Sequence, residues 1–146
     1  MEQSKIFEVT EFKPEYTRII NKLLAQLITT TPVKFTDEDL LEIIASKNSW
    51  LFFCYHEGEI AGMLSIGSYK TPTGQKYWVE DVVVDNNFRG KSLGRKLIEH
   101  AIHYVGSQGG NPSLMLTTSF TRIAANELYK SVGFELKQSN VYKMTF

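Results

Sequence analysis

The sequence predicts a mixed α/β domain, a mostly antiparallel sheet flanked by helices, and three observations carry that prediction. Two strand-like runs, residues 50–56 and 59–69, are joined by Glu57-Gly58, a hairpin turn signal. A β-branched run at residues 76–85 enters a glycine-bearing turn and then an amphipathic helix. Strands and helices interleave throughout, giving the order β-α-α-β-β-β-α-β-α-β-β.

Each element has its own local reason. Residues 6–12 alternate apolar and polar, as a half-buried strand does. Pro14 can open a helix, and Ile19, Ile20, Leu23, Leu24 and Leu27 recur at helical spacing over residues 14–28. Thr30-Thr31-Pro32 breaks that helix. Thr36 followed by Asp37, Glu38 and Asp39 reads as an N-cap with an acidic first turn, continued by Leu40, Leu41, Ile43 and Ile44. Thr71-Pro72-Thr73-Gly74 makes the turn after the hairpin. From Ser92 to Val105, the residues Leu93, Leu97, Ile98, Ala101, Ile102 and Val105 form one apolar stripe, closed by Gly106. Residues 113–118 form a short strand, and residues 122–131 a helix ended by Gly133. Residues 134–137 and 141–145 read as a closing pair of strands.

Composition narrows the function classes. The 146 residues fit a single domain, 1–146, with 42% apolar and 22% charged residues. Sixteen basic residues balance sixteen acidic ones, so the basic excess of a nucleic-acid binder is missing and no nucleic acid is expected as partner. The strongest apolar run, residues 50–55, is far too short for a membrane span. One cysteine, Cys54, rules out an intrachain disulfide, and the polar start carries no signal-peptide pattern, so a cytoplasmic location is expected.

The chemistry concentrates between Val82 and Ile98. A valine strand stops, Gly90 sits in the turn, and a helix opens with Gly94 in its first turn. Helix N-termini carry unpaired N–H groups and partial positive charge, which suits phosphate. Arg89, Lys91, Arg95 and Lys96 add positive charge near the same end. A P-loop would need a glycine where Asp85 stands, and the dinucleotide G-x-G-x-x-G pattern is absent.

Arg89-Gly90-Lys91-Ser92-Leu93-Gly94 resembles the R-G-x-G-x-G/A signature of the GNAT superfamily of N-acetyltransferases. The segment from Ala125 to Phe134 is similar to that family's A-x-x-L-Y-x-x-x-G-F pattern, and the two motifs stand in the family's order. Ser92 departs from the pattern by replacing the middle glycine. Serine is small, suits an N-cap and has a hydroxyl to offer a phosphate oxygen, so cofactor binding is expected to survive.

The resemblance implies the GNAT fold, acetyl-CoA as acetyl donor, no metal, and direct transfer to an amine. It implies that the main chain of Val82, Val83 and Val84 pairs with the pantetheine arm, while their side chains pack in the core. The turn amides of Arg89, Gly90, Lys91, Ser92, Leu93, Gly94 and Arg95 would hold the pyrophosphate. Tyr129 matches the family's general acid, protonating the departing thiolate; packing against the sheet is its plainer role. Glu80 and Asp81, which strand alternation sends to opposite faces, resemble the carboxylate pair of the polyamine-acetylating branch. Glu80 is assigned as base or substrate anchor and Asp81 as substrate contact, against the alternative of a solvated edge pair. Asn126 is assigned to the cofactor, against a solvent-facing helix position.

Other residues point elsewhere. Cys54 reads as a buried strand thiol, His100 and His103 as solvated helix histidines without a carboxylate partner for a metal, and Trp50, Phe52 and Phe53 as core. The acceptor stays open among a small amine, a polyamine, an amino sugar and a protein amine, with Glu80-Asp81 tilting toward a small cationic amine. A non-catalytic acyl-CoA-binding regulatory module is the alternative. Similar proteins often form homodimers through C-terminal strands, for which residues 141–146 could serve.

Overall fold

The computed structural model describes residues 4–146. Its first strand, β1 (Ser4–Glu8), is followed by helices α1 (Pro14–Leu27) and α2 (Asp37–Ala45). Strands β2 (Ser49–His56), β3 (Glu59–Thr71) and β4 (Gly74–Val84) then form a meander. A short 3-10 turn, Asn86–Phe88, leads into helix α3 (Leu93–Gly106), strand β5 (Ser113–Met115) and helix α4 (Ile123–Ser131). The five strands lie in the order β1-β2-β3-β4-β5, antiparallel except for the parallel β4–β5 pair.

Alternation along β2 explains both layers of the core. Phe52 and Cys54 face α3 with Leu64, Ile66, Leu97, Ile98 and Ala101, while Leu51 and Phe53 face α1 and α2 with Leu23, Leu24, Leu40 and Met63. A strand covered on both faces reads as one apolar run, as residues 50–55 do. The expected aromatic core residues lie there: Phe53 is fully buried, and Trp50 packs against Tyr77 and Tyr104. Each large aliphatic side chain removed from water contributes about 1.5–3 kcal/mol, so the five buried positions of α3 fix that helix on the sheet.

The local signals act where the sequence places them. Thr36 caps α2 reciprocally with Asp39: Asp39 N–H donates to Thr36 Oγ1 at 3.1 Å, and Thr36 N–H donates to Asp39 Oδ2 at 2.9 Å. Glu57 and Gly58 both take positive φ, 47° and 87°, as the two-residue hairpin requires.

Two expectations change. β5 stops at Met115 rather than Thr118, because it pairs only with residues 76–78 of β4 and the strands then part. The order matches through α4, but residues 134–137 and 141–145 make no ladder pairing among the described residues. Leu136, Val141, Tyr142, Met144 and Phe146 stand exposed there, so alternation is present without a neighbouring strand.

Candidate active site

The parting of β4 from β5 opens the site. Past Trp78 no described strand pairs with the β5-facing edge of β4, and Val82, Val83 and Val84 border a cleft, while Glu80 and Asp81 lie outside its lining. A bulge prepares this opening. Met63 pairs with Val83 and Ser65 with Glu80, so Asp81 and Val82 together oppose Leu64. Asp81 carries the extra residue's strain at φ 49°. The strict alternation expected for Glu80 and Asp81 fails across this bulge, and both residues are exposed.

The cleft has a volume of about 770 Å³. Val82, Val83 and Val84 form one wall, and Arg89, Gly90, Ser92, Leu93, Gly94 and Arg95 close one end. Arg122, Ala125, Leu128 and Tyr129 of the α4 region face them, with Gln26 and Leu27 of α1 at the rim. A second groove of about 500 Å³, beside Ile102, Leu114 and Phe134, has no titratable side chain in its lining.

The end of the cleft gathers unpaired main-chain donors. Gly90 takes φ 81° and Ser92 φ 60°, so the chain curls twice through the left-handed region before α3 begins. The first helical bond runs from Lys96 N–H to Ser92 O at 3.1 Å. The N–H groups of Leu93, Gly94 and Arg95 therefore have no intrahelical acceptor, and no side chain caps them. Ser92 is the N-cap residue but makes no capping hydrogen bond, unlike Thr36. A diphosphate fits this arrangement of donors.

The basic residues separate. Arg89 folds back, with Nε 3.4 Å from Val84 O, and Arg95 bonds Ser131 Oγ at 3.0 Å across to α4. Lys91 is exposed and outside the cleft lining. Lys96, counted with the cluster from sequence, instead donates to Ser4 Oγ beside β1. Asn126 also turns away from the cleft, its amide donating to Ser119 O at 3.1 Å and Arg122 O at 2.7 Å.

Tyr129 is buried against the cleft, its ring edge-on to Phe134 at 6.1 Å. Burial raises its phenol pKa, and Arg122 pulls partly the other way, so it holds its proton at neutral pH. Partial desolvation raises Glu80, with the charge of Asp81 adding to it, and desolvation raises Asp81 as well. Cys54 is fully buried and its thiol is pushed up to about 11 by desolvation, which suits a packing role. His100 packs on Phe52 at 4.9 Å, and no metal-ligating cluster exists among the described residues.

Sequence reasoning missed two participants. Gly62 on β3 lies where a Cβ would stand 2.7 Å from Val83 O, so only glycine lets the two strands approach there. Asp85 is 3% exposed and ion-paired to Lys22 of α1 at 3.0 Å. Gly94 is far less constrained than Gly62, since a Cβ there would meet only Val84 Cγ2, at 3.8 Å.

A splayed strand leading to an uncapped helix N-terminus, with Tyr129 opposite, is the arrangement that the resemblance implies for an enzyme moving an acyl group from an acyl-CoA. Comparison with known proteins agrees. The acetyltransferase (GNAT) family matches over residues 18–134, and the chain belongs to that family. It is 26% identical to glucosamine 6-phosphate N-acetyltransferase 1 of Dictyostelium discoideum, over 94% of this chain and 88% of that protein. The solved glucosamine-6-phosphate N-acetyltransferase of Arabidopsis thaliana superposes with a TM-score of 0.77 at 29% identity, covering 98% of this chain and 99% of the other. An aminoglycoside acetyltransferase from an uncultured soil metagenomic sample shares the fold, with a TM-score of 0.83 at 18% identity over 98% and 95% of the two chains. The protein is an acetyl-CoA-dependent N-acetyltransferase. No helix among the described residues is long and apolar enough to cross a membrane.

Proposed function

We propose that the chain acetylates the primary amine of a small amino sugar, with glucosamine 6-phosphate as the first acceptor to test. The observation that carries this is similarity to two glucosamine 6-phosphate N-acetyltransferases over nearly the whole chain. The exposed carboxylates of Glu80 and Asp81 at the bulge, which would attract an ammonium group, support it. A small cationic amine such as a polyamine remains the second reading, on the same carboxylates.

Each group has a step. The diphosphate of acetyl-CoA sits on the amides of Gly90 to Arg95, and the pantetheine arm runs beside Val82, Val83 and Val84 as an added strand. An alkyl ammonium has a pKa near ~10.4 and must lose a proton before it can attack. Glu80 takes that proton through water, aided by its raised pKa. The amine nitrogen bonds to the acetyl carbonyl carbon, a main-chain N–H of the valine strand steadies the oxyanion, and the carbon–sulfur bond breaks. Tyr129 gives its proton to the leaving thiolate, and the second proton shed by the attacking nitrogen restores the phenol as the amide forms.

The test is thiol release from acetyl-CoA with glucosamine 6-phosphate, glucosamine, spermidine and an aminoglycoside, compared by kcat/KM. The amino-sugar reading expects glucosamine 6-phosphate to exceed the others by at least tenfold. Equal or higher kcat/KM for spermidine would overturn it.

A further inference from the structure

The buried carboxylate at the start of the turn does no chemistry in that scheme, yet both of its oxygens are engaged. Asp85 Oδ1 accepts from Asn87 N–H at 2.9 Å, and Oδ2 pairs with Lys22 Nζ at 3.0 Å. Its own N–H donates to Ala61 O at 2.7 Å, which locks it to β3. One residue on, Asn86 N–H donates to Gln26 Oε1 at 2.8 Å. Lys22 and Gln26 stand four residues apart, one above the other on a single face of α1. Gln26 also lines the cleft.

We propose that Asp85, gripped by Lys22 and Gln26, is a positioning residue that holds the diphosphate turn in its anion-accepting shape, so that α1 sets affinity for acetyl-CoA. The inference rests on the reading of that turn as the diphosphate site. Two physical effects combine. The clamp fixes the entry of a segment that must then curl through the left-handed region at Gly90 and Ser92. Lys22 also neutralises an anion that belongs to the same turn as the incoming diphosphate. Left alone, that buried charge would oppose the ligand, because a low-dielectric setting strengthens like-charge repulsion. The same helix is also fixed at a second place. Asn21, on the same helix, donates to Phe35 O at 2.8 Å and accepts from Phe35 N–H at 2.9 Å, tying the segment between α1 and α2 to the same lever.

The test uses the full chain, CoA binding by calorimetry, and steady-state kinetics. The Lys22 side chain is 60% exposed, so Lys22→Met leaves no cavity. Lys22→Met should raise the CoA dissociation constant and the acetyl-CoA KM about tenfold, with kcat within twofold of wild type. Lys22→Arg should restore affinity to within twofold, and the double variant Lys22→Met/Asp85→Asn should recover most of the loss by removing the stranded charge. Gln26→Ala should weaken binding about threefold. Gly90→Leu serves as control for the site itself. If Gly90→Leu abolishes binding while Lys22→Met and Gln26→Ala bind CoA like wild type, the clamp is refuted and the site stands. If Gly90→Leu also binds normally, the site reading falls and the clamp with it.

Discussion

Gly62 offers a sharp test of how the sheet shapes the cleft. A methyl group there would lie 2.7 Å from Val83 O and 3.3 Å from Val84 Cα, the first about 0.7 Å short of ordinary contact at 3.4 Å. Both neighbours are backbone of β4, so relief requires β4 to move rather than a side chain to rotate. Gly62→Ala should therefore act as overpacking, costing about 1–3 kcal/mol. For a chain of this size that lowers Tm by roughly 3–10 °C. The displaced strand is the one whose free edge is proposed to take the pantetheine, and misplacing reacting groups by ~1 Å can cost about 100-fold. A shift of several tenths of an ångström should then lower kcat/KM for acetyl-CoA about tenfold. Gly94→Ala is the contrast, because its methyl group meets only Val84 Cγ2 at 3.8 Å and a helix gains up to about 1 kcal/mol from the change. Thermal unfolding and steady-state kinetics of the two variants check the reasoning. Gly62→Ala with unchanged Tm and unchanged kcat/KM would refute it.

Three further outcomes follow from the same geometry. Ser92 holds φ 60°, a conformation costing a non-glycine residue about 1–2 kcal/mol, partly offset by the extra unfolded-state entropy of glycine. Ser92→Gly should thus leave stability equal or raise it by up to about 1 kcal/mol in urea unfolding, and Ser92→Val should lower it. Tyr129→Phe should reduce kcat at least tenfold while changing CoA affinity less than threefold, and the alkaline fall in rate should disappear with the phenol. A carboxylate base works only when ionised, so kcat/KM should rise with pH through the raised pKa of Glu80, and Glu80→Gln should flatten that acid limb. The raised pKa also means that the native state binds more protons there than the unfolded chain, so the stabilisation by Glu80→Gln should be absent below the unfolded carboxyl pKa, grow between it and the raised native value, and stay constant above.

What could be read from the sequence was whatever is encoded locally. Leu93, Leu97, Ile98, Ala101 and Val105 announce α3 by spacing, Thr36 and Asp39 announce α2 by capping, and Arg89 to Gly94 mark the turn by composition. The rest depends on what lies opposite. Nothing near Asp81 signals a bulge, since the mismatch is between Met63–Ser65 and Glu80–Val83 on separate strands. Gly62 looks like an ordinary strand glycine until Val83 O is placed against it. Asp85 looked like an end-of-strand residue, although its partner Lys22 is far back along the chain. Lys96 follows the turn and Asn126 stands one helical turn before Tyr129, but their hydrogen bonds take both side chains elsewhere. The apolar alternation of residues 141–145 is real, but a strand also needs a neighbour.

The central claim is that main-chain amides at the start of α3 hold a diphosphate and run the donor along β4. Titrating the 15N-labelled protein with CoA and following its amide resonances tests this most directly. The account requires the largest shifts at Gly90 to Arg95, with smaller ones at Val82 to Val84 and none at the Glu57-Gly58 hairpin. Saturable binding that leaves the amides from Gly90 to Arg95 unmoved would contradict it.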